Sequence, residues 1–213
     1  MSRKARNRAK KLPHHIISKC IPERDLFNDD QDKETYLSFI KEAAKIYHVE
    51  VLAYCLMDNH IHLLVHPRGG DISKFMFKIN NRYAIVYNKK YERMGTLFAS
   101  RFKNIIIRDL NQLLRTSTYI HNNAKDLLYK GYESIKEYPY SSIKDYINPG
   151  KSINIASPTY IFNQMGGTYN TAHKHYLALL EIQMQEHDKF GEEMKIALKY
   201  CEYKTDKETF DRD

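Results

Sequence analysis

Val49-Glu50-Val51-Leu52-Ala53-Tyr54-Cys55-Leu56-Met57-Asp58-Asn59-His60-Ile61-His62-Leu63-Leu64-Val65-His66 decides how the chain folds. The run from Val49 to Met57 reads as a strand, Asp58-Asn59 as a tight turn, and His60 to His66 as the partner strand, so the segment predicts a β-hairpin. Pro67, Gly69 and Gly70 close its second strand. On the N-terminal side, Tyr36, Leu37, Ile40, Ala43, Ala44 and Tyr47 form a helical stripe over 33–47, and a short strand is expected from His14 to Lys19. On the C-terminal side, Ile72, Phe75, Met76, Ile79, Tyr83 and Val86 mark a second amphipathic helix. Gly95 breaks the chain, and Asn104 to Arg108, with three consecutive isoleucines, reads as a buried strand. Asp109 with Gln112 reads as a capped helix start, continued by Leu110, Leu113, Leu114, Ser117 and Ile120. Strand, helix, strand, strand, helix, strand is the order of an α+β, ferredoxin-like βαββαβ domain, here with a third helix appended.

Beyond Gly131 the composition shifts. Tyr138-Pro139-Tyr140-Ser141-Ser142 reads as loop, Ser157-Pro158 as a helix start, Gly166-Gly167 as a stop, and about 171–186 as a longer helix. The polar residues 205–213 are expected to fray. The expected division is a basic arm over 1–12, a catalytic domain over 13–130, and a C-terminal helical extension with a polar tail over 131–213.

The 213 residues are 42% hydrophobic and 28% charged, which supports a buried core and argues against a disordered chain. No stretch approaches the roughly 18 apolar residues of a membrane span, and no apolar signal region follows the basic start. Cys20, Cys55 and Cys201 are odd in number and widely spaced, which suits neither a disulfide framework nor a zinc pattern. A reduced, cytoplasmic setting is the expectation. Six cations (Arg3, Lys4, Arg6, Arg8, Lys10 and Lys11) fall in the first eleven residues, and without them the net charge falls from +8 to +2. Such an arm suits a polyanion such as nucleic acid more than its plainer role as a solubilising tail. Arg101, Lys103 and Arg108 form a second basic group in mid-chain.

Within a strand, residues two apart share a face, so His60 and His62 present their imidazoles side by side while Ile61 turns to the core. A His-X-His pair on a strand can begin a divalent-metal site, or be two ordinary hydrogen-bonded histidines at an edge. On the helix after Asp109, at about 100° per residue, Tyr119 falls opposite the apolar stripe. Asn123 lies one turn on, so a phenol and an amide project together from the expected polar face.

Taken together these segments resemble the REP-associated tyrosine transposases, within the HUH group of single-tyrosine transposases related to small bacterial insertion sequences. The resemblance is carried, in order, by Arg3-Lys4-Ala5-Arg6, Cys55 through Val65, Gly95-Thr96-Leu97-Phe98, Arg101-Phe102-Lys103, Tyr119-Ile120-His121-Asn122-Asn123 and Tyr138-Pro139-Tyr140-Ser141-Ser142. It spans residues 1 to about 146 and extends only loosely to the C-terminal segment. It implies that His60 and His62 are metal ligands, that Tyr119 is the nucleophile, that Asn123 completes the metal site, and that Mg2+ or Mn2+ is the cofactor. It also implies a single-stranded DNA substrate with a hairpin and an adjacent guide sequence, and a monomer or a homodimer with shared active sites. Arg3, Lys4, Arg6, Arg8, Arg101 and Lys103 are the expected DNA-binding residues. Asp58 stands where the family usually has Pro, and Ala124 where Pro commonly follows the Asn, so the helix end is expected to differ.

The residue types suit phosphodiester cleavage. A phenol with a pKa near 10 is only about 0.1% ionised at neutral pH, so it must lose its proton as it attacks. Two neutral imidazoles and an amide leave a bound dication's charge for a phosphate oxygen to balance. Attack by Tyr119 would give a 5′-phosphotyrosine and a free 3′-hydroxyl, and the retained phosphodiester lets another 3′-hydroxyl reverse the step without ATP. Neither a G-x-x-x-x-G-K-[ST] nor a G-x-G-x-x-G occurs, which disfavours nucleotide-driven chemistry. The expected activity is thus that of a metal-dependent single-stranded DNA transposase, an endonuclease and strand transferase. The alternative is a domesticated, non-cleaving DNA-hairpin-binding protein. An RRM-like RNA module ranks last, since no aromatic strand signature matches. Tyr83 and Phe102 could stack on bases, but both fit core packing better.

Overall fold

The computed structural model describes residues 9–148 and 155–185. Strands β1 (His14–Lys19), β2 (Glu50–Leu56), β3 (His60–His66) and β4 (Lys103–Ile106) form one antiparallel sheet in the order β2-β3-β1-β4, the ferredoxin-like order. Helices α1 (Asp30–Tyr47) and α2 (Ile72–Lys90) cover one face. The other face carries α3 (Leu110–Asn122), which runs on as a 3-10 segment (Asn123–Lys130). Helices α4 (Ile143–Ile147), α5 (Thr159–Met165) and α6 (Tyr169–Gln185) complete the described residues.

The expected strand-helix order holds, with ends moved by local chemistry. Helix α1 starts at Asp30, earlier than its apolar stripe, because Asp29 caps it by accepting from the Asp32 N–H. Gly70 is required where β3 turns into α2, since a Cβ there would lie 2.0 Å from the Tyr47 carbonyl oxygen. On the α1/α2 face, Ile16, Ile61, Leu63 and Val65 are buried against Tyr36, Ile40, Phe75 and Ile79. Asn80 of α2 ties the layers by donating to Ser18 of β1 and accepting from the Tyr36 hydroxyl. Tyr83 and Phe102 are both core residues.

Three expectations are corrected. The three-isoleucine strand is an edge strand: β4 covers Lys103–Ile106, ends before Ile107, and is only half-buried. Leu110, assigned to the apolar stripe of α3, is 41% exposed. Helix α3 has no solvated polar face in its second half, because Thr116, Ser117, Thr118, Ile120, His121 and Asn122 are all buried between the sheet and α6.

The Tyr138 to Ser142 segment does structural work as an edge cover. Leu56 N–H donates to the Tyr140 carbonyl, Ser142 N–H donates to the Tyr54 carbonyl, and the Tyr138 hydroxyl donates to Leu56 O. Farther along β2, the Tyr146 hydroxyl donates to Leu52 O and Ser157 N–H to Val51 O. The outer edge of β2 is thereby closed to further pairing. A single hydrophobic cluster runs from the sheet through Tyr138, Tyr146, Phe162, Tyr176 and Leu180. Among the described residues, no helix is long and apolar enough to cross a membrane. Arg3, Lys4, Arg6, Arg8, Cys201 and the 205–213 tail lie outside the described residues.

Candidate active site on the α3 face of the sheet

Register decides which side chains meet. Lys19 pairs with His60, Ile17 with His62 and with Lys103, and His15 with Leu64 and Ile105. Partners across a ladder share a face, so His15, Lys19, His60, His62 and Lys103 all project from the face that α3 covers. The Asp58-Asn59 turn is closed by Met57 N–H donating to His60 O. From it, Asn59 Oδ1 lies 2.6 Å from His60 Nδ1. His60 Nε2 and His62 Nε2 are 3.1 Å apart, and His62 Nδ1 is 2.9 Å from His15 Nε2. The His15 and His62 rings stack at 5.2 Å. These four side chains form one row: Asn59, His60, His62, His15.

Helix α3 brings Tyr119 to the row. Asp109 caps it by accepting from Gln112 N–H, and Gln112 Oε1 accepts from Arg108 N–H. Farther along, His121 sits between Ser142 Oγ (2.8 Å) and the Tyr176 hydroxyl (3.0 Å), Asn122 Nδ2 donates to Leu180 O, and Thr118 Oγ1 bonds Gln183. So held, the half-buried Tyr119 ring stands edge-on to His62 at 5.6 Å and to His15 at 6.3 Å. Asn123 is one turn on. Its Nδ2 donates to the Tyr119 carbonyl at 2.7 Å and caps the helix, leaving Oδ1 as the acceptor of the side chain. With Ala rather than Pro at 124, the backbone winds on into the 3-10 segment without a break. At its end, Tyr129 and Lys130 both bond Asp58, so the tyrosine-bearing element is fastened to the turn that carries His60.

His60 and His15 are held in their neutral form at pH 7. Burial, aided by the cation of Lys19, holds His60 down at about 4 against the opposing pull of Asp58. Burial alone lowers His15 to about 3. Neutral rings leave lone pairs for a metal ion. The Nε2 to Nε2 spacing fits: two adjacent ligands about 2.1 Å from an octahedral ion are about 3.0 Å apart. Among the described residues, no group of three or more His, Cys, Asp or Glu is arranged to hold a metal. An ion here would therefore take two imidazoles and draw its other ligands from amide, water or phosphate.

Of the sequence-predicted site residues, His60, His62 and Tyr119 come together, while Asn123 is tied to the Tyr119 carbonyl. Lys103 shares the face of the site, and Arg101 is exposed in the loop just before β4. Sequence reading missed His15, Lys19 and Asn59. The parity of His15 and Lys19 was legible, but not the β1–β3 register that sets them beside His62 and His60.

A sequence model of the IS200-like transposases matches residues 8–123. No curated protein gives a match. Among solved structures, the chain is similar to a REP-associated tyrosine transposase bound to a REP hairpin. The TM-score is 0.57 at 17% identity, covering 70% of this chain and 87% of that one. It also matches a transposase candidate from Deinococcus radiodurans R1 with a TM-score of 0.38 and 17% identity, over 61% of this chain and 95% of that one. With the family model spanning more than half of the sequence, the chain belongs to the IS200-like transposases, a family of DNA-processing enzymes.

Proposed function

We propose that this transposase cleaves and rejoins single-stranded DNA beside hairpins through a 5′-phosphotyrosine intermediate. Tyr119 is the nucleophile, and His60 and His62, with the Asn123 amide oxygen, hold Mg2+ or Mn2+. The observation that carries this reading is the convergence of two imidazole nitrogens 3.1 Å apart with the Tyr119 ring against one of them. When bound, the divalent ion supplies Lewis-acid polarisation of the scissile phosphate.

The residues of the chain supply the rest. Tyr119 Oη attacks phosphorus and releases its proton as the new P–O bond forms. The bond to the 3′ oxygen breaks, and that oxygen takes up a proton to leave as a 3′-hydroxyl. Reversal by a different 3′-hydroxyl rejoins the strand. Lys19 and Lys103 flank the site on the same face and are suited to hold the backbone on either side of the scissile phosphate. Because Tyr119 meets His62 of its own chain, the reading needs no second protomer. Hairpin recognition is extended to this chain from the hairpin-bound relative, with Arg3, Lys4, Arg6, Arg8 and Arg101 as the expected phosphate contacts.

The test is an adduct assay on both single strands flanking the gene, with Mn2+ or Mg2+. The reading predicts a denaturant-resistant protein–DNA band that needs the ion and disappears in Tyr119→Phe and His60→Ala. Tight, salt-sensitive hairpin binding without a band under any divalent ion would replace it with the non-cleaving hairpin binder.

A further inference from the structure

On the side of the sheet away from Tyr119, a groove of about 710 Å³ runs between α2 and the segment 95–102 that leads into β4. Its size falls within the roughly 300–1,000 Å³ usual for a small-molecule site. Two of its side chains are large and unburied: Phe77 is 69% exposed and Ile85 61% exposed. They lie eight residues apart on the same side of the helix and face the half-buried Phe98 across the groove, so they form one patch rather than scattered residues. The far wall is held by hydrogen bonds. Ile21 N–H donates to Leu97 O, Ala99 N–H to Lys19 O, and Asn88 Nδ2 to Gly95 O. The groove is thus formed before a ligand arrives, and filling it costs little ordering.

Its charge is one-sided. Arg101 lines the groove and no acidic residue does. Beyond its cap Asp71, helix α2 contains no Asp or Glu. Arg82 and Lys90 are taken up by Glu42 and by Asp29 with Asp32, whereas among the described residues Lys74 and Lys78 form no ion pair. At about 100° per residue these two lysines fall beside Phe77, Asn81 and Ile85. Asn81 and Ser100 are exposed and can both donate and accept. Cations for phosphates, a ring for the face of a base and an amide for its edge make up a platform for single-stranded nucleic acid. A second copy of the chain fits worse. In a two-fold contact the same patch faces itself, which sets Lys74, Lys78 and Arg101 against their own counterparts with no acid in the lining to pair them.

The groove also leads to the candidate active site. Arg101 lines it, and Lys103, two residues on, projects from the other face of the sheet. Strand β4 is the edge strand, so the short path from one face to the other runs around it. Resting on the single-stranded DNA reading above, we propose that the groove takes unpaired bases of the strand that runs past Lys103 from the scissile phosphate. Phe77 stacks on a base, and Lys74, Lys78 and Arg101 hold the phosphates. The grip is tolerant of sequence, because every base has a face to stack. It extends the contact with DNA well beyond the reacting phosphate.

The test uses the full chain and a fluorescent oligothymidylate of about 12 nucleotides, without divalent ion. Phe77→Ala, whose ring is already in solvent, is expected to keep the native circular dichroism and to bind about tenfold more weakly. Phe77→Tyr keeps a ring and is expected to bind within about twofold of wild type. Lys78→Ala is expected to make the slope of log K against log salt shallower by about 0.7. With iodouracil in place of thymine, irradiation is expected to join the strand to the peptide carrying Phe77. Wild-type affinity in Phe77→Ala, or crosslinks confined to the other face of the sheet, overturns the groove and leaves the cleavage reading standing. A wild-type dimer that becomes a monomer in Phe77→Ala, with DNA affinity unchanged, makes the groove an interface between copies and overturns it too. A crosslink at Phe77 in a chain that forms no covalent adduct with any divalent ion supports the groove and overturns the cleavage reading instead.

Discussion

Replacing Asp58 with Asn tests how the tyrosine-bearing element is fastened to the histidine turn. The Asp58 carboxylate accepts from Tyr129 and Lys130 at the end of the 3-10 segment and lies 3.7 Å from the ammonium of Lys33. The Lys33 side chain is only 5% exposed, and that of Asp58 is 19% exposed. Burial pushes the Lys33 pKa down, with the Lys130 cation adding to it, and Asp58 opposes both. Burial raises the Asp58 carboxyl, but the hydrogen bonds from Lys130 and Tyr129 outweigh that and hold it below the usual carboxylate range. At 3.7 Å and an effective dielectric of 20, the gross attraction between Lys33 and Asp58 is about 4 kcal/mol. Stripping the partner from a fully buried ion pair costs about 3–5 kcal/mol. Here Asp58 is partly solvated and Lys33 keeps the faces of Tyr140 (5.0 Å) and Tyr138 (5.7 Å), so the expected loss is about 2 kcal/mol.

Urea unfolding followed by circular dichroism reads this directly. With a slope of about 2 kcal/mol per molar urea, the midpoint of Asp58→Asn falls by about 1 M at pH 7. Because the folded pKa of Asp58 is depressed, its contribution is full above the unfolded value near 4 and is lost as pH falls through the folded value. The gap between wild type and variant therefore closes in acid. Lys33→Met in the Asp58→Asn background removes the stranded ammonium and is expected to recover most of the loss. A midpoint shift under 0.3 M, or a gap that persists unchanged to pH 2, would refute the reasoning.

Three further outcomes are expected. His121→Leu removes one buried hydrogen bond from the Tyr176 hydroxyl and one from Ser142 Oγ, which keeps its bonds to the Tyr54 backbone; it should lose about 1–2 kcal/mol in urea unfolding and speed amide exchange around Tyr119 to Asn123. Lys19→Ala and Lys103→Ala should each weaken single-strand binding irrespective of sequence and make the slope of log K against log salt shallower by about 0.7, measured by fluorescence anisotropy. Chelation with EDTA should abolish adduct formation while leaving hairpin binding within about twofold, and added Mn2+ should restore the adduct.

The parts legible in the sequence are those fixed by short-range pattern. The hairpin of β2 and β3, the shared parity of His60 and His62, the Asp109 cap and the Gly166 stop all follow from neighbours a few residues apart, and each stands as read. What escaped depends on contacts across the chain. The β1–β3 register puts His15 against His62 across 47 positions, and no local signal marks it. In the second half of α3, Thr118, His121 and Asn122 are polar, and nothing in their neighbours marks them as buried. In the fold these are matched one by one to Gln183, Ser142 with Tyr176, and Leu180, so a polar face became a buried one. The three isoleucines read as a buried strand, although topology assigns β4 to an edge. Likewise the Tyr138 to Ser142 run has loop composition, and only the finished sheet shows that it covers the free edge of β2.

The central claim is that one phenol among 17 tyrosines becomes covalently joined to DNA. Mass spectrometric mapping of the trapped protein–DNA adduct, formed on the single strand flanking the gene in the presence of Mn2+, tests it most directly. The account predicts a nucleotide phosphate on the peptide carrying Tyr119 and on no other. A modified peptide centred on a different tyrosine, or a cleaved strand with no modified peptide at all, would contradict it.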